Sequence, residues 1–276
     1  MPQPHVLVFD SGLGGLTVLA EVMRQRPDVQ CLYAADDAGF PYGRLSEDAL
    51  IARVGTVIGQ LIADRAPDAI VVACNTASTL LLPHLRAAYP QIPFIGTVPA
   101  VKPAASQSQS KLISVLATPG TVARDYTHDL VRTYAAHCDV TLVGSTKLAG
   151  LAEAFMKGEP VSDASIAAEI APSFVEKDGR RTDCIVLACT HYPLLLQRFE
   201  RLAPWPVAWI DPAEAIARRL DHVLRQDLGL TPEAATAGPH AALFTSGAPP
   251  SPALATALAE RGIGMIVEQP IPMALA

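Results

Sequence analysis

The sequence predicts an α/β fold of two pseudo-symmetric domains, each with a mostly parallel β-sheet flanked by helices. Short apolar runs rich in β-branched residues alternate with helix-like stretches along the chain, which is the pattern of parallel sheets. Several of these runs are continuously apolar, as expected for strands that are covered on both faces. A chain of 276 residues, half of them hydrophobic, has room for two such domains.

Eight segments are predicted as strands and five as helices. The strands are 6–9, 31–34, 69–73, 94–96, 112–116, 140–143, 184–188 and 207–210, and the helices are 16–26, 46–65, 121–136, 147–157 and 162–175. Residues 99–111, rich in Pro, Ala, Ser and Gln, are typical of a connector, and Pro-containing residues 203–206 form a second break. We therefore predict one domain over 99–207 and another formed by 1–98 and a returning C-terminal segment, 208–276.

An internal repeat supports the two-domain prediction. Residues 70–95 align without gaps on residues 185–210, at a constant offset of 115. A weaker similarity relates residues 6–12 to residues 113–120, since both run from a strand through a polar residue to a glycine. Chance similarity between apolar strands does not explain why both copies of the longer repeat carry a cysteine at the strand end. Two facing copies would place these loops on opposite walls of one cleft, where we expect the active site.

Four polar loops follow predicted strands and precede predicted helices: 10–12, 74–76, 118–121 and 189–191. Ligands of parallel sheets bind beyond the carboxyl ends of the strands. Free N–H groups at a helix N-terminus attract anions and lower thiol pKa values, so Cys74 and Cys189 are candidate thiolates. The other cysteines, Cys31, Cys138 and Cys184, are expected to be small buried hydrophobes.

Composition and motifs make several other kinds of function less favoured. A net charge of −6 without a basic stripe does not favour nucleic-acid binding. The chain shows no signal peptide, no apolar stretch that could span a bilayer and no metal-binding spacing, so we expect a cytoplasmic protein without a metal. The glycines of DSGLGG (10–15) do not match the dinucleotide motif, and they are expected to form a tight turn instead.

Two matched thiols suit one reaction better than others. A cysteine protease needs a single nucleophile, and a redox pair usually lies within a short motif. Two thiols on opposite faces of one carbon can remove a proton from one side and return one on the other, provided that one is thiolate and the other thiol. This arrangement indicates racemisation or epimerisation.

Several motifs together resemble those of glutamate racemase, a cofactor-independent enzyme of peptidoglycan precursor supply. The matching segments are VFDSGLGGLTVL, PYG, ACNTAST, IGTVPAVKPA, LATPGT, LACTHYPLL and FTSG, which extend in the family's order over about residues 5–268. The CNT and CTHYPLL segments are highly specific, whereas DSG and PYG give support only in combination. The resemblance implies two α/β domains, with a C-terminal segment that completes the first.

The resemblance also implies roles for individual residues. Cys74 and Cys189 would be the catalytic proton donor and acceptor, with Cys74 serving the D-enantiomer and Cys189 the L-enantiomer. The implied substrate-binding residues are Asp10, Ser11, Tyr42, Gly43, Asn75, Thr76, Thr190 and His191. Of these, Asp10 and His191 would assist the two thiols, although Asp10 and Ser11 could instead simply cap a helix. Additional candidates are Thr118, Thr121 and Glu153.

One segment departs from the family pattern. Where the family often has Cys-Pro followed by Val-Pro-Leu-Val-Glu, this chain reads STKLAGLAE (145–153), which keeps the acid at Glu153 in different surroundings. None of the polar loops supplies Lys or Arg. Our hypothesis is that hydroxyls and helix-terminal N–H groups bind both carboxylates of an acidic substrate.

Three alternatives stay open at this point. The same chemistry could act on aspartate. A pyridoxal phosphate enzyme could use Lys102 or Lys111, although Lys102 lies in the Pro-rich connector. A regulatory or binding protein could retain an inactive site. The expectation is an enzyme of L- and D-glutamate without a cofactor, acting as a homodimer and without a nucleic-acid or membrane partner.

Overall fold

The computed structural model describes residues 3–232 and 238–273. Residues 1–2, 233–237 and 274–276, which the predicted first domain includes, lie outside the described residues. The strands are β1 (His5–Asp10), β2 (Gln30–Ala35), β3 (Ala69–Val72), β4 (Phe94–Gly96), β5 (Leu112–Ala117), β6 (Asp139–Gly144), β7 (Glu176–Lys177), β8 (Arg180–Arg181), β9 (Cys184–Ala188), β10 (Ala208–Ile210), β11 (His240–Phe244) and β12 (Ile263–Val267).

Helices connect most of these strands. The α-helices are α1 (Leu16–Gln25), α2 (Glu47–Arg65), α3 (Asn75–Ala88), α4 (Val101–Gln107), α5 (Pro119–Val122), α6 (Asp125–Tyr134), α7 (Leu148–Met156), α8 (Asp163–Ile170), α9 (Leu196–Leu202), α10 (Ala213–His222) and α11 (Pro252–Glu260). Short 3₁₀ turns are Asp37–Gly39, Tyr42–Arg44, Ala171–Ser173 and Tyr192–Leu195, and a π-helical turn, Val223–Asp227, extends α10.

Four strands of the six-stranded sheet have the same order as the four strands of the second sheet. The first sheet has the order β12-β11-β2-β1-β3-β4 and the second β6-β5-β9-β10. Both therefore contain the same pattern, in which the first strand of the unit lies between the second and third and the fourth lies outside the third. All pairings within these two sheets are parallel. The predicted fold class is confirmed, and the repeated segments form equivalent strands, β3–β4 and β9–β10.

Strand pairing shows which residues each sheet contains. The C-terminal strands β11 and β12 join the first sheet, because β11 pairs with β2 and β12 pairs with β11. Residues 208–210 form β10 and pair with β9, so the second sheet extends three residues beyond the predicted boundary at 207. The reason is that the Pro-containing break at 203–206 precedes the last strand of this sheet instead of following it.

Three predictions about helices differ from the structure. The helix predicted at 162–175 ends at Ile170 of α8, and a 3₁₀ turn that contains Pro172 and an extended Phe174 follow it. The predicted connector at 99–111 contains α4, whose Pro103 is tolerated because it lies in the first helical turn. The single helix predicted at 121–136 is divided into α5 and α6, since Arg124 adopts an extended conformation between them.

Helices bury the apolar strands on both faces of the first sheet. One core cluster lies between the sheet and α2–α3, and another lies on the face covered by α1, α10 and α11. In α2, Ser46 accepts a hydrogen bond from the Ala49 N–H and caps the helix, which then buries Leu50, Val54 and Leu61. This packing fixes the strand ends at the edge of the sheet where the polar loops lie. In the described residues no helix has the length and apolarity needed to cross a membrane.

Candidate active site

The polar loops of both sheets meet at one cavity. Cys74 follows β3 of the first sheet, and Cys189 follows β9 of the second. Both thiols line the same small cavity, whose volume is about 30 Å³. Its lining consists of Ser11, Phe40, Pro41, Tyr42, Gly43, Cys74, Asn75, Thr76, Thr118, Ala149, Cys189, Thr190 and His191. A parallel sheet presents loops at the carboxyl ends of its strands, and here two sheets present them to each other.

The Cys74 thiol lies at the N-terminus of α3 in an apolar and acidic environment. Its Sγ is 3.7 Å from the hydroxyl oxygen of Ser11 and donates to it. Burial raises the pKa of the Cys74 thiol above its usual 9.0, and the negative charge of Asp10 raises it further. The Ala77 N–H and the Ser11 hydroxyl act in the opposite direction but do not outweigh burial. The thiol form is therefore favoured, contrary to the expectation that the helix N-terminus lowers this pKa.

The Cys189 thiol lies next to a histidine. Its Sγ is 3.9 Å from Nδ1 of His191, whose Nε2 is 2.9 Å from Oε1 of Glu153. Burial alone lowers the pKa of His191, but hydrogen bonds with Cys189 and Glu153 and the charge of Asp10 raise it well above 6.5. The ring of Phe40 lies against this imidazole, with the ring centroids 5.4 Å apart. The thiol, imidazole and carboxylate thus form a continuous buried chain.

Glu153 is anchored from both domains' loops. Its Oε1 accepts a hydrogen bond of 2.6 Å from the Leu13 N–H, and its Oε2 lies 3.1 Å from Nζ of Lys157. Burial raises the pKa of Glu153, but the hydrogen bond and charge of His191, with the other two partners, bring it below its usual 4.5. Glu153 stays ionised and holds the imidazole in place.

Asp10 supports the loop that faces Cys189. Its Oδ2 accepts hydrogen bonds of 3.1 Å from the N–H groups of Gly12 and Gly15, which closes a tight turn at the end of β1. The Thr190 hydroxyl lies 3.4 Å from Oδ1 of Asp10. Burial raises the pKa of Asp10 above its usual 3.8, although the charge of His191 acts against this. Asp10 itself does not line the cavity, but it contacts Thr190, which does.

Glycines allow the first loop to touch the second. A Cβ atom on Gly14 would lie 2.5 Å from the backbone nitrogen of His191 and 2.7 Å from the carbonyl carbon of Thr190. A Cβ on Gly12 would meet the Glu153 carboxylate at 2.2 Å. The DSGLGG loop therefore needs glycine because backbone of the other sheet's loop occupies the space of a side chain.

Hydroxyl groups form the opposite wall. Thr76 Oγ1 lies 3.1 Å from Thr118 Oγ1 and 3.4 Å from Thr121 Oγ1, so a residue of α3 contacts the loop that follows β5. Thr118 also caps α5 by accepting a hydrogen bond from the Thr121 N–H. Asn75 is buried at the cavity, and neither polar atom of its side chain has a hydrogen-bond partner among the described residues. A buried amide without a partner is suited to a polar ligand.

The Tyr42 hydroxyl is already occupied. It donates a hydrogen bond of 2.6 Å to Oδ2 of Asp36, away from the other candidates. Burial and the charge of Asp36 raise the pKa of Tyr42 well above 10.0, so the phenol keeps its proton. Tyr42 and Gly43 therefore contribute ring and backbone, and not a free phenol, to the cavity lining.

The structure gathers all of the candidate residues into one region. Ten of them line the cavity, and Asp10, Thr121 and Glu153 contact those that do. Sequence reasoning did not single out three lining residues, which are Phe40, Pro41 and Ala149. Pro41 is the first residue of the PYG motif and Phe40 directly precedes it, so this motif could have indicated both.

The lining is free of permanently charged basic side chains as far as the structure describes the chain. Neither Lys nor Arg is among the lining residues, and Lys102 and Lys111 both lie elsewhere. Lys102 lies over the ring of Tyr134, and Lys111 donates to backbone carbonyls of Ala105 and Ser108. In residues 3–232 and 238–273, no three His, Cys, Asp or Glu side chains are grouped so that they could bind a metal ion.

The fold and cavity define a class of α/β protein in which two equivalent sheets each supply one thiol to a shared site. The chain matches the family described as Asp/Glu/Hydantoin racemase over residues 16–220. With this match and with relatives more than 50% identical, the chain belongs to that family.

Curated relatives and solved structures agree with the family assignment. The chain is 53% identical to a glutamate racemase of Sinorhizobium fredii over 262 residues, which cover 95% of this chain and 96% of the relative. It is 58% identical to one of Brucella canis over 223 residues, covering 81% and 80%. The crystal structure of Escherichia coli glutamate racemase with L-glutamate and the activator UDP-MurNAc-Ala is 37% identical, with a TM-score of 0.86 over 96% of this chain and 97% of that one. The resemblance found in the sequence is thereby confirmed.

The contact at Gly14 should be intolerant of a single methyl group. We expect Gly14→Ala to push the loops of the two sheets apart, because the new Cβ meets backbone that cannot rotate away. The melting temperature should fall, and Cys74 and Cys189 should be alkylated faster, as followed by mass spectrometry. Gly55→Ala in α2 is the matched control: nothing lies within 4 Å of its Cβ, and alanine favours a helix by up to about 1 kcal/mol. Equal labelling of both variants would contradict the steric argument.

Replacing Glu153 should lower the pKa of His191. Glu153→Gln removes the charge that favours the imidazolium, and a histidine titration by NMR should show the shift. The raised pKa of His191 stabilises the fold below about 6.5, and this stability is lost as pH rises through the folded pKa. The lowered pKa of Glu153 stabilises the fold above about pH 4.5, and this stability is lost as pH falls through the folded pKa.

The stability difference between wild type and Glu153→Gln should therefore be largest between about pH 4.5 and 6.5 and amount to about 1–3 kcal/mol in urea unfolding. The control is Glu169→Gln, since Glu169 contacts Ser145 and Lys147 instead of His191. A His191 pKa that is the same in wild type and in Glu153→Gln would show that the carboxylate does not act on the imidazole.

Proposed function

We propose that this protein interconverts L-glutamate and D-glutamate by moving a proton on and off the α-carbon, without a cofactor. The observation that supports this most strongly is that equivalent strand ends of two sheets bring Cys74 and Cys189 to one cavity. The relatives named glutamate racemase support glutamate as the substrate. Two thiols facing one carbon provide an acid and a base for either direction of the reaction.

The proposed reaction needs one thiolate and one thiol. The thiolate removes the α-proton, so that an S–H bond forms, the C–H bond breaks and the electron pair stays on the substrate as a carbanion. The opposite thiol then donates its proton to the other face of the carbon and becomes the thiolate. On the assignment that the family resemblance implies, Cys74 removes the proton of D-glutamate and Cys189 that of L-glutamate. Proton exchange with water restores the starting state.

The neighbours of the thiols differ, and so do their proposed roles. His191 lies next to Cys189, and its raised pKa allows the imidazolium to stabilise a thiolate there or to return a proton. Cys74 has Ser11 as its hydrogen-bond partner and Asp10 close by. Because burial favours the neutral form of Cys74, we propose that the substrate ammonium group supplies the positive charge that makes this thiol a competent base.

Hydroxyls and amides are proposed to bind the two carboxylates. Thr76 and Asn75 lie in the first turn of α3, a helix of 14 residues whose N-terminal N–H groups attract anions. Ser11 and Thr190 offer further hydroxyls from the other loops. These groups also stabilise the negative charge that develops when the α-proton leaves, without the cost of burying a lysine or arginine.

The cellular setting is also part of the proposal. D-glutamate made here would supply peptidoglycan synthesis, the role that the family resemblance implies. All five cysteines are free, which fits a reducing compartment such as the cytoplasm.

The oligomeric state is a separate part of the proposal. A homodimer is supported by the exposed rings of Tyr126 and Tyr134, which are apolar surface suited to a protein contact, and light scattering tests it.

Solvent deuterium should report the two-base reaction. In D₂O we expect wild type to label the α-carbon of the product enantiomer as it forms, because the second thiol carries a solvent-derived deuteron. Cys74→Ala and Cys189→Ala should each lose racemisation by about a thousandfold or more, since one face of the carbon has no acid or base. Cys184→Ala, at a buried cysteine outside the cavity, is the control.

Mass spectrometry and circular dichroism follow label and racemisation in the same samples. Full activity in either single variant would contradict the mechanism, and activity on aspartate but not glutamate would change the substrate to the shorter acid.

The hydroxyl of Thr76 should matter for binding. Thr76→Val keeps the shape of the side chain but removes the hydroxyl, so KM for both enantiomers should rise about tenfold or more with a smaller effect on kcat. Thr56→Val in α2 is the control, because Thr56 is exposed, donates to the helix carbonyl of Ala52 and does not line the cavity. Unchanged kinetics of Thr76→Val would count against hydroxyl binding of the carboxylate.

A further inference from the structure

A buried carboxylate lies behind the Tyr42 turn. Asp36 follows β2, is fully buried and accepts hydrogen bonds of 2.6 Å from the hydroxyls of Tyr42 and Thr245. Its backbone N–H also donates to the carbonyl of Asp10, at 2.8 Å. Asp36 therefore connects the turn that lines the cavity to the strand end that carries Asp10.

The counter-charge of this carboxylate is Arg53 of α2. The guanidinium Nε lies 3.1 and 3.0 Å from the two oxygens of Asp36, and Nη2 donates to Oδ1 as well. Both side chains are almost completely buried. A planar guanidinium can bind both carboxylate oxygens at once, which fixes the orientation of the carboxylate as well as its charge.

The remaining donors of Arg53 bind backbone carbonyls in residues 268–273, which follow β12. Nη2 donates to the carbonyl of Ile271 at 2.6 Å, and Nη1 donates to that of Pro272 at 2.8 Å. The Ile271 N–H in turn donates to the carbonyl of Thr245, and the Ile271 side chain is buried in the same core cluster as Tyr42. The guanidinium of Arg53 thus links α2 to Asp36 at the end of β2 and to residues 271 and 272. Thr245, after β11, joins the same group through Asp36 and Ile271.

The Tyr42 side chain connects this hydrogen-bond network to the cavity. The Tyr42 phenol is held by Asp36, while Tyr42 and Gly43 line the cavity. The turn Tyr42–Arg44 has no capping side chain of its own, so Asp36 fixes its position from behind. Loss of the correct carboxylate orientation would move the Tyr42 ring and the backbone beside it.

We propose that Arg53 is a positioning residue for substrate binding, which acts on the Tyr42 turn through Asp36 and is itself locked by the carbonyls of residues 271 and 272. This inference rests on the proposed function, since it assigns to the Tyr42 turn a part in binding glutamate. Arg53 is not among the residues that line the cavity, so it would act through Asp36. The effect should be equal for both enantiomers, because the turn belongs to neither thiol.

A double-mutant cycle tests the coupling. Arg53→Lys keeps the charge but cannot bind two carboxylate oxygens and two carbonyls together, and Tyr42→Phe removes only the hydroxyl that Asp36 accepts from. Each variant should raise KM for L- and D-glutamate about tenfold, with kcat changed less than about threefold. The double variant should be no worse than Arg53→Lys alone within about twofold, because both changes break one path.

The KM–kcat split separates positioning from loss of folded protein. A variant that is partly unfolded has fewer active molecules, which lowers apparent kcat and leaves KM unchanged. Arg65→Lys is the matched control, since Arg65 is on the same helix and contacts Gln269 of the same C-terminal segment far from Asp36. KM should be unchanged in that control. An unchanged KM in Arg53→Lys, or KM effects of the two single variants that multiply, would overturn the proposal.

A crystal structure of Arg53→Lys separates this proposal from the proposed function. The Tyr42 hydroxyl should no longer lie within hydrogen-bond distance of Asp36. If wild type does not racemise glutamate, the proposed function fails, whereas an intact Tyr42–Asp36 hydrogen bond in the variant refutes the positioning role by itself.

Discussion

The site depends on the contact between the DSGLGG loop and the loop that follows Cys189. Gly14 leaves no room for a Cβ against the backbone at His191, and the Leu13 N–H binds the carboxylate that holds the His191 imidazole. The first sheet therefore helps to position the His191 imidazole next to the thiol of the second sheet. Each half of the molecule completes the other, which is why two similar α/β units produce one site and not two.

The two thiols have different neighbours despite their equivalent positions. At Cys74, desolvation and a nearby carboxylate favour the thiol, and the helix N-terminus is too weak to reverse this. At Cys189, hydrogen bonds with the thiol and with the buried Glu153 carboxylate raise the pKa of His191, so the imidazole can hold a proton beside this thiol. The two thiols therefore differ in their electrostatic surroundings.

Much of the fold and the positions of the two thiols could be predicted, because short sequence patterns mark the strands and their ends. Continuous apolar runs identified eight strands, β1–β6, β9 and β10, and the repeat identified the paired cysteines. Strands β11 and β12 of the first sheet and the short pair β7–β8 were missed. The role of Glu153 could not be read in this way, since its partners, Leu13 and His191, come from distant loops. The occupied hydroxyl of Tyr42 was equally hidden. Its acceptor, Asp36, lies six residues earlier in the same connection between β2 and α2, but no sequence pattern indicates that the two side chains meet. The helix at 101–107 was missed because its Pro and Ser content is also typical of connectors.

The most direct test is a crystal structure of the protein with D- or L-glutamate bound. The account requires the Sγ atoms of Cys74 and Cys189 to lie on opposite faces of the substrate α-carbon, each within about 4 Å, the range from which a thiol can exchange a proton. A substrate that contacts only one sulfur atom, or two sulfur atoms on the same face, would contradict it.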